Sequence, residues 1–192
     1  MGFASIFIIP TMKASFIIGL TLFISACHRE EKNVVVTASI DSPAVAVDSH
    51  NERVSSYAFI ASQTTPHELV NFAKTLIGTP YLYACTDPSK GLDCSGFVNY
   101  VFNHFYIEVP RSSVDFTNFG KDVQLKDAKE GDLILFTGTD EKIRTVGHIG
   151  IVTENTDTLK FIHSSSGKAM GVIISPLGEY YQKRFVKVIR VF

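Results

Sequence analysis

Long cationic runs are absent from this chain, and its charges nearly cancel. The 192 residues carry 18 lysines and arginines against 19 aspartates and glutamates, a formal net charge of −1. Because proteins that bind nucleic acid usually present a basic patch or stripe, this composition argues against a nucleic-acid partner. Hydrophobic residues make up 45% of the chain, which is enough to fill the core of one domain of ordinary size.

Cysteine is also scarce, with three in the chain at Cys27, Cys85 and Cys94. Three cysteines do not make a disulfide framework, and the chain has no closely spaced Cys-x2-Cys pair of the kind that binds structural zinc. A Cys2His2 zinc site that joins Cys85 and Cys94 to two histidines is an alternative, although we expect no metal or other cofactor. Cys85 and Cys94 could also form a reversible disulfide, but we do not expect a permanent one.

Charge is nearly absent from the first 26 residues, where Lys13 is the one charged side chain. The apolar run from Ser15 to Ile24 is too short to span a bilayer comfortably, but it has the length of a signal-peptide core. We therefore predict a signal peptide at residues 1–26, with Met12 as an alternative start.

The sequence Ile-Ser-Ala-Cys at residues 24–27 resembles the lipobox of bacterial lipoproteins. This resemblance implies cleavage before Cys27, lipidation of its sulfur and a stable membrane anchor. An ordinary secretory signal with an incidental cysteine is the alternative. His28 follows the cysteine, and in the Gram-negative sorting pattern a residue other than Asp there implies the outer membrane, facing the periplasm. Residues 27–64 are then the lipidated cysteine and a flexible tether, because they lack helical periodicity.

The domain itself is predicted at residues 65–192 and opens with a strong helix signal. Thr65 and Glu68 have the spacing of a capping box, and Pro66 stands at the first helical position. Gly78 is the predicted end of the helix. The predicted apolar face consists of Leu69, Val70, Ala73, Leu76 and Ile77.

A second helix is predicted to begin at Cys94, with Asp93 as its N-cap. A thiol at a helix N-terminus lies close to unpaired backbone N–H groups and to the positive end of the macrodipole, which favour the thiolate. Cys94 is therefore the candidate nucleophile, and the alternative is a small buried side chain. Apolar residues follow it at helical spacing: Phe97, Val98, Val101, Phe102 and Phe105.

After a short predicted helix at residues 113–119, the pattern changes to that of strands. Helices first and strands afterwards predict an α+β fold in which the cysteine helix packs on an antiparallel sheet. The continuous apolar run LILF indicates a central strand that is covered on both faces. The predicted strands are LILF at 133–136, VGHIGIV at 146–152, LKFIHSS from 159, GVIIS from 171 and the C-terminal RFVKVIRVF.

Two histidines lie on strands that the pattern predicts to be neighbours, His148 in VGHIGIV and His163 in FIHSSS. A hairpin between these strands can bring both rings to one face of the sheet. A nucleophilic cysteine needs a base within hydrogen-bond reach and a group that orients the base. A single histidine in a strand is more often structural, but Cys94, His148 and His163 together favour nucleophilic catalysis.

Six motifs, in order along the chain, carry a resemblance to a known family. They are GTPY at 78–81, DCSG at 93–96, VPR at 109–111, GDL at 131–133, HIGI at 148–151 and FIH at 161–163. Residues 65–192 resemble the NlpC/P60 family of papain-like cell-wall cysteine peptidases, in its short lipoprotein form. The resemblance implies an α+β papain-like fold, with N-terminal helices and the catalytic cysteine at a helix N-terminus packed on an antiparallel sheet.

The resemblance also implies a role for each matching residue. Cys94 would be the nucleophile, His148 the base and His163 the polar residue that orients His148. Arg111 is expected either to pair with a carboxylate of the substrate or to form a salt bridge that supports its loop. The residues implied near the oxyanion or the substrate are Tyr81, Asp93, Ser95 and Arg111.

The implied reaction is hydrolysis of peptide bonds in peptidoglycan stem peptides or cross-links, with a thioester as the intermediate. We expect the protein to be a monomer. The alternatives are a non-catalytic envelope-binding lipoprotein with the same fold, and an amidase or acyltransferase on the same scaffold. The chain departs from the family at Tyr83-Ala84-Cys85, where members commonly have Trp-Gly-Gly. We therefore expect the side chain of Cys85 to change the shape of the neighbouring subsite.

Overall fold

The computed structural model describes residues 58–59 and 61–192. The predicted signal peptide, Cys27 and most of the predicted tether lie outside these residues. Residues 58–59 and 61–63, at the end of the predicted tether, have helical backbone where the sequence pattern predicted no helix. The hydroxyl of Ser62 donates to the carbonyl of Phe59 at 2.8 Å, a local hydrogen bond typical of a helical turn. None of the helices in the described ranges is long and apolar enough to cross a membrane.

Helix α1 (Pro66–Thr75) begins with the predicted capping box. The backbone N–H of Thr65 donates to Glu68 Oε2 at 2.9 Å, and the N–H of Glu68 donates to Thr65 Oγ1 at 3.2 Å. These two bonds satisfy N–H groups that a helix start leaves unpaired. The residues that α1 buries are Leu69, Val70 and Ala73.

Helix α1 ends earlier than the predicted stop at Gly78. Leu76 is its C-cap, and its N–H bonds back to the carbonyls of Ala73 and Lys74. Ile77 lies beyond the helix and is 51% exposed. The prediction that Ile77 belongs to the apolar face was therefore wrong, because the chain has already turned away from the core.

Helix α2 (Cys94–His104) begins at the predicted residue. Asp93 is its N-cap and accepts a hydrogen bond from the N–H of Gly96 at 2.5 Å. The predicted apolar stripe faces the core and anchors the first turn. Its buried residues are Phe97, Val98, Val101 and Phe102, and Phe105 packs against them.

A small hairpin lies just before α2, in a segment where the sequence pattern predicted no strand. Strand β1 (Thr86–Asp87) pairs antiparallel with β2 (Gly91–Leu92). Gly91 has φ +143°, and a Cβ there would lie 2.8 Å from the carbonyl oxygen of Pro80. Glycine is therefore required where the hairpin crosses the preceding loop on its way to Cys94.

The main sheet has six strands in the order β3-β8-β4-β5-β6-β7, and every pairing is antiparallel. The predicted α+β fold is confirmed. The strands are β3 (Lys121–Val123), β4 (Leu133–Thr137), β5 (Val146–Asn155), β6 (Leu159–Ser165), β7 (Gly171–Pro176) and β8 (Phe185–Arg190).

Three short elements complete the domain. A 3₁₀ helix at Ser113–Asn118 matches the short predicted helix, and a second one spans Leu125–Asp127. Helix α3 (Glu179–Arg184) connects β7 to β8. Strand β3 and helix α3 were not predicted, because three and six residues are too few for a clear hydrophobic period.

The sheet separates two hydrophobic layers, and β4 is buried on both faces as predicted. Leu133 and Leu135 point into the layer shared with α1 and α2. Ile134 and Phe136 point into the opposite layer, against residues of β5, β6, β8 and α3. Because α2 packs on β5 and β6, the start of α2 is held against the strands that carry the two histidines.

Candidate active site

The start of α2 meets the beginning of β5 at Cys94. The thiol of Cys94 lies 4.0 Å from the carbonyl oxygen of Gly147, the residue before His148. A Cβ on Gly147 would lie 2.6 Å from the Cα of Gly138, at the end of β4. The absence of a side chain at residue 147 therefore allows β4 to approach β5 at this point.

The two histidines are in direct contact. His148 Nε2 and His163 Nδ1 are 2.8 Å apart, and the rings meet edge to face with their centroids 4.9 Å apart. Strands β5 and β6 pair with Ile151 opposite Ile162, so the register puts both imidazoles on one face of the sheet. His163 is fully buried, with 0% of its surface exposed.

Two further side chains contact the far nitrogen of His163. Its Nε2 lies 3.0 Å from Ser175 Oγ and 3.3 Å from Tyr181 Oη. If His148 Nδ1 serves as the base, His148 Nε2 carries the proton and donates to His163 Nδ1. His163 must then be protonated at Nε2, where Ser175 and Tyr181 can accept. These two hydroxyls hold the tautomer that the base requires.

Sequence reasoning missed Ser175 and Tyr181. Ser175 interrupts the apolar segment GVIIS, and in the β6–β7 register it lies opposite Phe161, two positions along β6 from His163. A serine within an otherwise apolar strand was the one sequence signal for this contact. Only the pairing of β6 with β7 shows that the serine lies beside His163. Tyr181 lies on the unpredicted helix α3.

Burial dominates the electrostatics of the cysteine and the histidines. Burial raises the pKa of the Cys94 thiol to about 11, and the neighbouring carboxylate of Asp93 adds to the rise. The backbone N–H groups of Cys94, Ser95 and Ile149 act in the opposite direction but do not outweigh burial. The backbone N–H groups at the helix N-terminus therefore favour the thiolate, as the sequence predicts, but burial outweighs them and the thiol is protonated near pH 7.

The histidines are shifted the other way. Burial lowers the pKa of His148 to about 4, and the positive charge of Arg184 contributes. Burial, with a smaller contribution from His148, lowers the pKa of His163 to about 3. Near pH 7 the thiol and both imidazoles are therefore neutral. If Cys94 acts as a nucleophile, a proton must leave its thiol as the sulfur attacks, and neutral His148 can accept it.

On the other side of Cys94, three polar residues bind one another. Arg111 Nη2 lies 2.8 Å from Asp93 Oδ2, and Arg111 Nη1 donates to Ser95 Oγ at 3.2 Å. Ser95 Oγ in turn donates to Asp93 Oδ1 at 3.2 Å. Of the two expectations for Arg111, the structure contains the salt bridge that supports its loop, and this bridge ties the loop to the helix start.

Two cavities meet beside the cysteine and share Tyr81 and Gly147 as lining residues. The smaller, of about 190 Å³, contains Cys94 and Asp93. The larger, of about 670 Å³, contains His148. Tyr81 lies between them. Burial raises the pKa of its phenol, and the proximity of Cys94 makes a smaller contribution in the same direction. The Tyr81 hydroxyl is therefore protonated and able to donate a hydrogen bond at the site.

Cys85 does not line the smaller cavity. Its side chain is buried, 1% exposed, with Sγ 4.0 Å from the carbonyl oxygen of Asp87. Ala84 lines the cavity instead, with φ +57°, a conformation that favours glycine. The expectation that Cys85 reshapes the subsite was wrong, because its side chain points into the protein. Cys85 and Cys94 are not joined by a disulfide.

No group of three or more His, Cys, Asp or Glu side chains within the described ranges is arranged to hold a metal ion. The proposed zinc ligand set of Cys85, Cys94, His148 and His163 is therefore not assembled. Cys85 is buried near Asp87, whereas Cys94 and His148 line the two cavities and His163 contacts His148 from behind.

The profile of the NlpC/P60 family matches residues 78–190. The chain belongs to the NlpC/P60 family. Over 104 residues it is 39% identical to the Escherichia coli (strain K12) protein named Murein DD-endopeptidase MepS/Murein LD-carboxypeptidase, covering 53% of this chain and 50% of that one. It is 28% identical over 180 residues to a Haemophilus influenzae probable endopeptidase NlpC homolog, covering 88% and 91%. The chain thus spans about half the length of the Escherichia coli relative.

Solved structures of this family share the fold. An NlpC/P60 family protein from Bacillus cereus superposes with a TM-score of 0.59 at 29% identity, over 66% of this chain and 40% of that one. The NlpC/P60 domain of the peptidoglycan hydrolase SagA superposes with a TM-score of 0.56 at 23% identity, over 67% and 100%. The predicted family and its papain-like α+β fold are confirmed.

Proposed function

We propose that this chain is a cysteine endopeptidase that hydrolyses peptide bonds of peptidoglycan stem peptides or cross-links. The observation that carries the proposal is the 2.8 Å contact between His148 Nε2 and His163 Nδ1, next to a cysteine at a helix N-terminus. A nucleophile, a base and a residue that orients the base are the parts that acyl transfer requires. The murein endopeptidase name of the Escherichia coli relative supports the substrate class.

In the proposed reaction, Cys94 Sγ attacks the peptide carbonyl carbon while its proton passes to His148 Nδ1. The backbone N–H of Cys94 and the hydroxyl of Tyr81 donate hydrogen bonds to the oxyanion. His148 then gives the proton to the leaving nitrogen, the C–N bond breaks, and a thioester remains on Cys94. Water attacks the thioester, gives one proton to His148, and the acyl group leaves as a carboxylic acid. His148 returns that proton to the sulfur.

The test is incubation of muropeptides with the wild-type protein and with Cys94→Ser, followed by mass analysis of the products. We expect wild-type turnover and a loss of about a thousandfold or more in Cys94→Ser, because the nucleophile is removed. Cys85→Ser is the matched control, since it removes the other thiol of the domain away from the cavities, and it should retain activity. Equal turnover by wild type and Cys94→Ser would refute the nucleophile assignment. Absence of turnover by the wild type would favour the non-catalytic binding protein.

We also propose that the protein is held in the cell envelope by a lipid on Cys27, in the outer membrane and facing the periplasm. The lipobox-like residues 24–27 and His28 support this proposal. Mass analysis of the mature N-terminus should find an acylated Cys27, and Cys27→Ser should release the protein from the membrane fraction. Recovery of unmodified Cys27 in a soluble mature protein would contradict it.

A further inference from the structure

The larger cavity is cationic. Arg184 and Lys168 both line it, and no aspartate or glutamate does. Within the described part of the chain, neither cation forms an ion pair with a carboxylate. The smaller cavity is different, because its one charged lining residue, Asp93, is already paired with Arg111.

The guanidinium of Arg184 is fixed by neutral groups. It donates to the hydroxyl of Tyr180 and to the carbonyl oxygen of Gly138, and it stacks on the Tyr180 ring with Cζ 4.9 Å from the centroid. Its Nε is buried without a hydrogen-bond partner. A cation that is held in place and partly desolvated, with no acid to compensate it, favours an anion in the adjoining space.

Lys168 lines the same cavity from a different part of the chain. It lies in the turn between β6 and β7, and its side chain is exposed to solvent. The backbone of this turn is held to the cysteine side, because the N–H of Tyr81 donates to the carbonyl of Met170 at 2.9 Å. The turn therefore places a second positive charge at the rim of the cavity that contains His148.

The position of His148 assigns a direction to the cleft. The leaving nitrogen must come within hydrogen-bond reach of the base that protonates it. The remainder of the leaving group then continues on the side of His148, which is the larger cavity. The acyl half of the substrate then occupies the smaller cavity, on the Asp93 side of Cys94.

We infer that the larger cavity is a leaving-group subsite that binds a carboxylate carried by the amine product, through Arg184 and Lys168. The inference rests on the proposed function and adds the chemistry of the group that leaves. A leaving residue with a free carboxylate is bound in preference to the same residue blocked as a carboxamide.

The test compares two synthetic stem peptides that differ at one position, where the residue that leaves ends in a carboxylate or a carboxamide. We expect the wild-type protein to cleave the acid with a kcat/KM about tenfold higher, the difference expected from one charge-assisted hydrogen bond. Lys168→Gln and Arg184→Lys should each reduce this ratio. Lys183→Gln is the matched control, because Lys183 neighbours Arg184 but binds Glu179 on the surface, and the ratio should stay the same.

A binding measurement separates the inference from the proposed function. Isothermal titration calorimetry of the Cys94→Ser protein with each peptide should show that the peptide with the free carboxylate binds more tightly than its carboxamide. Equal affinity, or equal cleavage of acid and amide by the wild type, would overturn the subsite. If the wild type cleaves neither peptide while Cys94→Ser still prefers the acid, the endopeptidase proposal fails and the subsite remains. Should Arg184→Lys fail to fold, Lys168→Gln carries the test, because its side chain lies in an exposed turn.

Discussion

The cysteine side and the histidine side of the site are built in different ways. Asp93, Cys94 and Ser95 are consecutive in sequence, and Arg111 joins them from the next loop. The histidine side is assembled from strands β5, β6 and β7 and from helix α3. The first side has an acid that is neutralised within the protein, and the second has cations without an acidic partner. Local structure therefore positions Cys94, the proposed nucleophile, whereas tertiary burial sets the protonation of His148, its proposed base.

Beside the loss of activity expected for Cys94→Ser, the largest effect is expected on the histidine side. His148→Ala should lose nearly all activity, about a thousandfold or more, because no other group takes the proton from Cys94. His163→Ala should retain measurable activity, since it removes only the residue that orients the base. Steady-state rates on muropeptides check this order. If His163→Ala were the more damaged of the two, the assigned roles would be reversed.

Stability should also depend on pH through the histidine side. The pKa values of His148 and His163 are lowered to about 4 and about 3 in the folded protein, against about 6.5 in an unfolded chain. As pH falls below about 6.5, the unfolded state binds protons that the folded state does not. The free energy of unfolding should therefore decrease, by up to about 1.4 kcal/mol per pH unit for each histidine, until the folded state also binds protons near pH 4 to 3.

Urea unfolding between pH 7 and pH 4 measures this slope. His163→Gln should flatten it, because one buried titrating group is removed. Gln124→Asn is the matched control: it exchanges an exposed neutral side chain and removes no titrating group, so the slope should be unchanged. A wild-type free energy of unfolding that is constant from pH 7 to pH 4 would contradict the burial argument.

A smaller effect is expected from the hydroxyls behind His163. Ser175→Ala together with Tyr181→Phe removes both acceptors of the His163 Nε2 proton, so the wrong tautomer becomes competitive. We expect kcat to fall about tenfold with little change in KM, in the range of a lost buried hydrogen bond. NMR of the imidazole nitrogens should show the Nε2–H form of His163 in the wild type and a mixture in the double variant. If the double variant kept the wild-type tautomer of His163, Ser175 and Tyr181 would have no role in setting it.

The smallest effect is expected from the charge of Asp93, next to Cys94. Asp93→Asn keeps an N-cap side chain but removes the charge that adds to the raised pKa of Cys94. The pKa of the thiol should fall, and burial, the larger cause, should keep it above its ordinary value. The alkylation rate of Cys94 against pH, measured in a Cys85→Ser background, checks this. A rate profile that moves to higher pH would show that Asp93 acts through the helix cap instead.

Much of the fold followed from local signals. The capping box at Thr65, the N-cap at Asp93 and the runs of strands β4 to β8 each depend on neighbours in sequence, and each was found where predicted. The hairpin β1–β2, strand β3 and helix α3 were missed because they are too short to show a period. The placement of Cys85 was wrong for a different reason: a backbone turn at Ala84 decides which side chain faces the cavity.

The sequence by itself determined the family, the fold class and the place of Cys94 at a helix N-terminus, because motif spacing, helix caps and hydrophobic period are local properties. Only the tertiary structure brought the two histidines into contact and decided the charge state of Cys94, His148 and His163. Burial raises the pKa of Cys94 and lowers the pKa of both histidines, and desolvation depends on what packs around a group rather than on its neighbours in sequence. The same holds for the cationic cavity, since Lys168 and Arg184 line one space through the β6–β7 turn and helix α3.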